Sequence, residues 1–279
     1  MEGLRFAKRA DKEQIYTLWK TCFGDEYDYI DLYFTHRFTE NNMIVFQRSG
    51  RIVSMASFLP ADICCGNKEE TLSALYVYAV ATLPEERKKG YAAGILDYGQ
   101  DFWGRTLILQ PASPKLAKYY EKLGFFHAFA GWHFEGCAHE KAPVRNNVGH
   151  EVWSYEFGGI SAAEYKTIRD RDLCRKDYVC WNQEAVNYAL QENEYCDGYV
   201  VKCAFFDGKE YVLLYRIEKD SLIVVETTVP EAFWHSVFST LCKKHNCRQY
   251  SYSNAGGMMR NPVNKSDLFR QGYLNLTLC

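Results

Sequence analysis

Apolar positions fall in two rhythms along the first 130 residues, one of 3.6 and one of 2, and their alternation predicts the elements. Ile15, Leu18 and Trp19 recur at helical spacing within residues 9–22, Cys22-Phe23-Gly24-Asp25-Glu26 breaks the period, and a second helix is predicted over roughly 27–38. Strands follow at Met43 to Gln47 and Ile52 to Leu59 around the turn Ser49-Gly50-Arg51. A further pair, Ala61 to Cys65 and Glu70 to Ala81, flanks Gly66-Asn67, which makes four antiparallel strands. Ala92, Ile95, Leu96, Gly99, Phe102 and Trp103 then mark one face of a helix. A strand at Thr106 to Gln110, a helix near 114–122 closed by Gly124, and a strand at Phe125 to Ala130 complete a mixed α/β unit.

Beyond roughly residue 145 the order restarts. Helices are predicted near 161–172 and 181–193, strands at Tyr199 to Phe206, Tyr211 to Ile217 and Ser221 to Val229, and a helix after Pro230 with Phe233, Trp234, Val237, Phe238 and Leu241 on one face. Gln249 to Ser253 and Tyr273 to Leu278 close the series as strands. The repeat predicts two domains, 1–145 and 146–279, the second a simplified copy of the first.

Composition narrows the function classes. The 279 residues are 47% hydrophobic with a net charge of −2, so there is material for one large or two modest cores and no general basic surface for nucleic acid or anionic membrane. No apolar run reaches the ~20 residues that span a bilayer, and Met1-Glu2-Gly3-Leu4-Arg5 lacks a signal-peptide core, so a cytoplasmic protein is expected. Eleven cysteines without Cys-x-x-Cys spacing read as reduced buried thiols. The histidines, His127, His133 and His139 among them, fit no zinc spacing, and no metal is expected.

The chemistry concentrates where the fourth strand, Leu75 to Ala81, runs into Arg87-Lys88-Lys89-Gly90-Tyr91-Ala92-Ala93 and the helix beyond. Backbone N–H groups of such a turn converge on one point at a helix N-terminus, and glycine permits close approach, so the turn reads as a pyrophosphate cradle. The same basic residues, following Glu85-Glu86, also fit an exposed charge-paired turn. The second half has only Pro230-Glu231-Ala232 at the matching join, with no glycine and no basic residue, which predicts a single cofactor site.

Arg87-x-x-Gly90-x-Ala92 resembles the coenzyme A signature of the GCN5-related N-acetyltransferases (GNAT), and Tyr120-Glu121-Lys122-Leu123-Gly124-Phe125 resembles that family's second motif, in the right order and one helix and one strand further on. The resemblance implies a mixed, mostly antiparallel sheet whose fourth and fifth strands splay apart. It also implies acetyl-CoA as cosubstrate and direct transfer of its acetyl group to an amine on a small molecule or peptide. The tandem arrangement resembles the enhanced-intracellular-survival type of acetyltransferase without its third, sterol-carrier-like domain. By resemblance, Val80, Ala81 and Thr82 offer backbone to the thioester and pantetheine, Arg87 to Ala93 hold the pyrophosphate, and Ser113 stands where many members bond pantetheine through Asn. By the same resemblance Tyr120 is expected to be the general acid. Asp25 and Glu26, with Asp28, lie in the loop beside the acceptor, although acidic residues also favour a helix start without any function. The terminal carboxylate of Cys279 is a further candidate for the base. A non-catalytic acyl-CoA sensor remains the alternative, and the 16% aromatic content leaves a homo-oligomer open.

Overall fold

The computed structural model describes residues 2–66, 70–138, 155–205, 207–254, 256–261 and 272–274. Two sheets organise them. The first runs β1 (Gly3–Phe6), β2 (Met43–Arg48), β3 (Arg51–Cys64), β4 (Thr71–Thr82), β5 (Thr106–Leu109), β14 (Gly257–Arg260) and β6 (Phe126–Phe129), with β9 (Tyr178–Cys180) paired to β3. The second runs β8 (Tyr155–Gly158), β10 (Tyr199–Phe205), β11 (Glu210–Glu218), β12 (Ser221–Thr227), β13 (Gln249–Asn254) and β7 (Trp132–Cys137). Between these strands only β4–β5 and β12–β13 pair in parallel. The fold is the expected mixed α/β class, mostly antiparallel, with two similar units in tandem.

The two sheets exchange strands. β7 leaves the first half to lie beside β13, and β14 comes from the second half to lie beside β5. Each therefore occupies the equivalent place in the other unit's sheet. Position 145, between the two halves, lies outside the described residues.

Two expectations are corrected. The segments Ile52 to Leu59 and Ala61 to Cys65 form one strand, β3, which continues through Pro60. One flank of β3 pairs with β2 as far as Ser57 and with β9 from Asp62, so proline lies in the gap between these ladders, where its missing N–H is tolerated. The first unit thus has three long antiparallel strands after the short β1, which pattern reading missed. The cysteines are mostly not buried: of the ten described none is in a disulfide, and only Cys203, Cys242 and Cys247 are excluded from solvent.

Alternation along the strands divides the core into layers. Ala74, Tyr76 and Tyr78 of β4 face one side and Leu75 and Val77 the other. The first side packs on α1 (Lys12–Phe23) and α2 (Tyr27–His36), and the same core continues into α5 (Ala162–Leu173), α6 (Gln183–Tyr195) and the inner residues Val212 and Leu214 of β11. Four helices therefore lie in one core shared by both halves. On the outer faces, α3 (Tyr91–Trp103) and α4 (Pro114–Glu121) cover the first sheet and α7 (Trp234–His245) covers the second. Gly99 fixes how closely α3 sits: a Cβ there would meet the Phe58 ring at 2.5 Å. Among the described residues no helix is long and apolar enough to cross a membrane.

Candidate active site

Strand β4 outruns its parallel partner. Its pairing with β5 extends from Ala74–Thr106 to Tyr76–Ile108, and Val77 to Thr82 continue without a β5 partner. On the opposite flank a bulge sets Ala79 and Val80 against Ala56 alone, between the pairs Ser57–Tyr78 and Met55–Ala81. Ala79 adopts φ of 51°, a left-handed conformation that bends the strand and re-aims its backbone. The result is a cleft of about 330 Å³ between the diverging strands. β4 supplies one wall through Tyr76 to Val80 and the segment Leu109 to Ala112 the other, with Leu116 and Tyr120 of α4 and Trp19, Phe23 and Asp25 completing the lining.

Tyr120 is held by the shape of its helix end. Ser113 caps α4 by accepting from Leu116 N–H at 3.2 Å, and the Tyr120 carbonyl accepts from Leu123 and Phe125 N–H as the chain turns through Gly124. The ring packs edge-on against Phe125 at 5.5 Å and is 7% exposed. Burial, reinforced by the neighbouring Tyr119, pushes its phenol well above the ordinary tyrosine value, which keeps the proton on the oxygen at neutral pH. The hydroxyl makes no hydrogen bond among the described residues. Ser113 itself serves as the helix cap and is not part of the cleft wall.

The two acidic candidates separate. Asp25 lines the cleft and accepts a 2.7 Å hydrogen bond from Trp19 Nε1, whereas Glu26 points outward to an ion pair with Lys20 at 2.9 Å. Asp28 is exposed in the first turn of α2. Cys279 lies outside the described residues.

At the far end of β4, Val80 is in the cleft wall, while Ala81 and Thr82 pair with Met55 and Ser54. Ser54 Oγ lies 2.8 Å from both the Ala81 carbonyl and the Thr82 hydroxyl, and Arg87 Nε donates to the Thr82 carbonyl at 3.1 Å. A short 3₁₀ turn, Pro84–Glu86, then leads to the cradle. Lys88 (φ 65°) and Gly90 (φ 83°) are both left-handed, and no side chain caps the N-terminus of α3. The N–H groups that open α3 are therefore left to solvent or a ligand, in an exposed turn where the helix dipole favours an anion. Lys89 pairs with Glu86 at 2.8 Å, and Glu86 is also bound by Arg48, so that part of the basic run is charge-paired. Lys88 forms no ion pair among the described residues. Tyr91 stacks on Phe46 at 4.2 Å and fixes the first turn of α3 to the sheet; Ala92 and Ala93, half-buried, follow it. This geometry fits a diphosphate-bearing cosubstrate, with backbone donors at one end and an open cleft at the other.

The second unit also carries a bulge in its corresponding strand, without a left-handed residue there. Val225 is the extra residue of a bulge in β12, between the pairs Leu214–Glu226 and Tyr215–Val224. Glu226 follows it, fully buried, bound to Arg169 Nε at 3.1 Å and accepting from the Tyr165 and Tyr273 hydroxyls. At the helix start, Trp234 Nε1 bonds the Val229 carbonyl at 2.7 Å. Side chains thus fill what is a cleft in the first unit.

Sequence reading passed over one group. Tyr78 lines the cleft, its hydroxyl lies 3.1 Å from that of Tyr29, and Tyr29 donates a short hydrogen bond to Glu192 of α6. Tyr78 sits one residue before the bulge and was legible by position. Glu192 has no local signal, since a glutamate in a mixed helix reads as a solvated face.

Residues 3–128 match the family model described as an acetyltransferase (GNAT) domain. The fold of nearly the whole chain is similar to that of a GCN5-related N-acetyltransferase from Anabaena variabilis, with a TM-score of 0.74 at 13% identity over 94% of this chain and 73% of that one. It is similar also to a conserved protein of unknown function from Enterococcus faecalis described as a probable N-acyltransferase (TM-score 0.71, 13% identity, 94% and 73% covered). A third is Eis1 from Mycobacterium abscessus (TM-score 0.67, 10% identity, 93% and 73% covered). No curated protein matches the sequence. At such identities the structural likeness shows the fold alone. Together with the family match, it makes this a GNAT fold in tandem, with the matched domain carrying the cleft.

Proposed function

We propose that the protein is an acetyl-CoA-dependent N-acetyltransferase with one catalytic site, in the first domain, acting on a small-molecule or peptide amine. The observation that carries this reading is the continuity of three features along one strand. The open cleft lies beside Val77 to Val80, the uncapped N-terminus of α3 follows the same strand, and Tyr120 stands with its phenol protonated across the gap. The backbone N–H groups of Lys88 to Ala92 would hold the pyrophosphate, and the β4 backbone near Val80 would receive the pantetheine and thioester.

Acetyl-CoA supplies an activated acetyl carbon when bound. Asp25 draws a cationic amine to the acceptor side, and hydrogen-bond donors of the bulged strand stabilise charge on the carbonyl oxygen as the amine attacks. Tyr120 gives its proton to the departing sulfur. The tandem form resembles the enhanced-intracellular-survival type in this view, with the second domain walling the acceptor side. The test is release of coenzyme A thiol from acetyl-CoA in the presence of a panel of primary amines. Amine-dependent release by the wild type, lost in Tyr120→Phe with acetyl-CoA affinity retained, supports the reading; absence of release with every amine contradicts it.

A further inference from the structure

An amine that is cationic in water must lose a proton before it can attack, and Asp25, half-exposed in the cleft lining, already accepts a hydrogen bond from Trp19 Nε1. One carboxylate is connected to the interior of the cleft. Glu192 of α6 is 1% exposed, its Oε1 accepts a short hydrogen bond from Tyr29 of α2, and the Tyr29 hydroxyl lies 3.1 Å from the hydroxyl of Tyr78, a residue of the cleft wall. We infer that Tyr78, Tyr29 and Glu192 form a proton relay that carries the acceptor's proton from the catalytic cleft of the first domain to a carboxylate of the second. This inference rests on the acetyl-transfer reading and supplies its missing proton acceptor.

The relay balances in protons. The ammonium N–H breaks as the Tyr78 oxygen takes its proton. Tyr78 passes its own proton to the Tyr29 oxygen, and Tyr29 passes its own to Glu192 Oε1. Both tyrosines end as neutral phenols, Glu192 ends protonated, and the amine keeps the lone pair that attacks the acetyl carbon. No phenolate accumulates, which suits the site, because burial and the nearby Glu192 charge push both phenols far above their ordinary range. Ring packing fixes both tyrosines: Tyr29 lies tilted against Tyr195 of α6 at 5.8 Å, and Tyr78 packs on Trp19 and Tyr33 at 5.8 and 5.6 Å.

The charged and titratable surroundings are mixed. Tyr188 lies on the preceding turn of α6, Cys196 and Asp197 follow the helix, Asp25 approaches from the α1–α2 loop, and Arg216 of β11 donates to Asn193 Oδ1 at 2.9 Å beside it. Arg37, which follows α2, also acts on Tyr188.

Glu192 acts through two tyrosines, so it is a positioning and proton-accepting residue rather than one that touches substrate. The experiment compares wild type, Glu192→Gln and Tyr29→Phe with two acceptors, benzylamine, a cation at neutral pH, and aniline, already neutral there. Calorimetric acetyl-CoA affinity is measured alongside. The expected result is a loss of about 100-fold in kcat/KM for benzylamine in both variants, in the range of proton-transfer catalysis, with less than about fivefold for aniline and unchanged acetyl-CoA affinity. Equal losses for both amines, or wild-type rates in Tyr29→Phe, overturn the relay. A wild type inert toward both amines overturns the acetyl-transfer reading beneath it.

Discussion

Arg169 Nε lies 3.1 Å from Glu226 Oε1, with both side chains completely excluded from solvent, at the point of the second unit that corresponds to the open cleft of the first. In the first unit the bulge at Ala79 and Val80 leaves a space; in the second, the bulge at Val225 brings Glu226 into one that Arg169, Tyr165 and Tyr273 fill. The pair therefore seals a site rather than making one.

Removing one partner of such a pair leaves an uncompensated buried charge. Glu226→Gln is expected to lower unfolding stability by about 3–5 kcal/mol, read by urea titration. Acetyl-CoA affinity of the folded fraction should match the wild type, because the cradle lies in the other domain.

Tyr120→Phe removes an oxygen that bonds no described residue, while the ring keeps its contact with Phe125. Stability should change by less than about 0.5 kcal/mol, and kcat should fall by at least about 100-fold with acetyl-CoA affinity unchanged. A steady-state comparison with calorimetry checks both.

Gly90 has open space where a Cβ would stand, yet its φ is 83°. Gly90→Val therefore strains the backbone rather than crowding a neighbour, at a cost of about 1–3 kcal/mol, and turns the cradle's N–H groups away. Acetyl-CoA affinity should fall at least about tenfold, a loss of about 1.4 kcal/mol. Lys88→Ala removes only an exposed charge and should cost no more than about 1 kcal/mol of binding. Calorimetric titration of both variants decides whether backbone or side chain does the holding.

Arg5 grips both carboxylate oxygens of Asp11, at 2.7 and 2.9 Å, and the Lys8 N–H adds a third bond at 2.7 Å. The Arg5 hydrogen bond is the chief reason the Asp11 carboxyl is held below the ordinary value. Its contribution is fully present above the unfolded-state pKa of about 3.9 and is lost as pH falls through the lower folded value. Asp11→Asn should flatten the acid limb of the stability profile below about pH 4 while leaving its neutral-pH slope unchanged, checked by urea titrations across that range.

Much of the architecture was legible because local pattern and tertiary role coincide. The run from Leu75 to Ala93 shows its strand, turn and helix in order, and Tyr120 is picked out by the glycine that ends its helix. The exchange of β7 and β14 was not, since short strands such as Gly257–Arg260 acquire their meaning only from the partner they join. Pro60 reads as a strand end and is passed through because of which ladders flank it. Glu192 illustrates the same limit at the site: its burial and its link to Tyr78 depend on α6 packing against α2, a contact 163 residues apart in the Tyr29–Glu192 bond.

The central claim is that the uncapped start of α3 binds the diphosphate of acetyl-CoA and thereby lays the thioester in the gap between β4 and β5. A crystal structure of the protein with acetyl-CoA tests it most directly. The account predicts pyrophosphate oxygens on the N–H groups of Lys88 to Ala92, with the thioester beside Val80 and its sulfur facing the Tyr120 hydroxyl. Acetyl-CoA bound elsewhere, or a cleft left empty at saturating ligand, would contradict it.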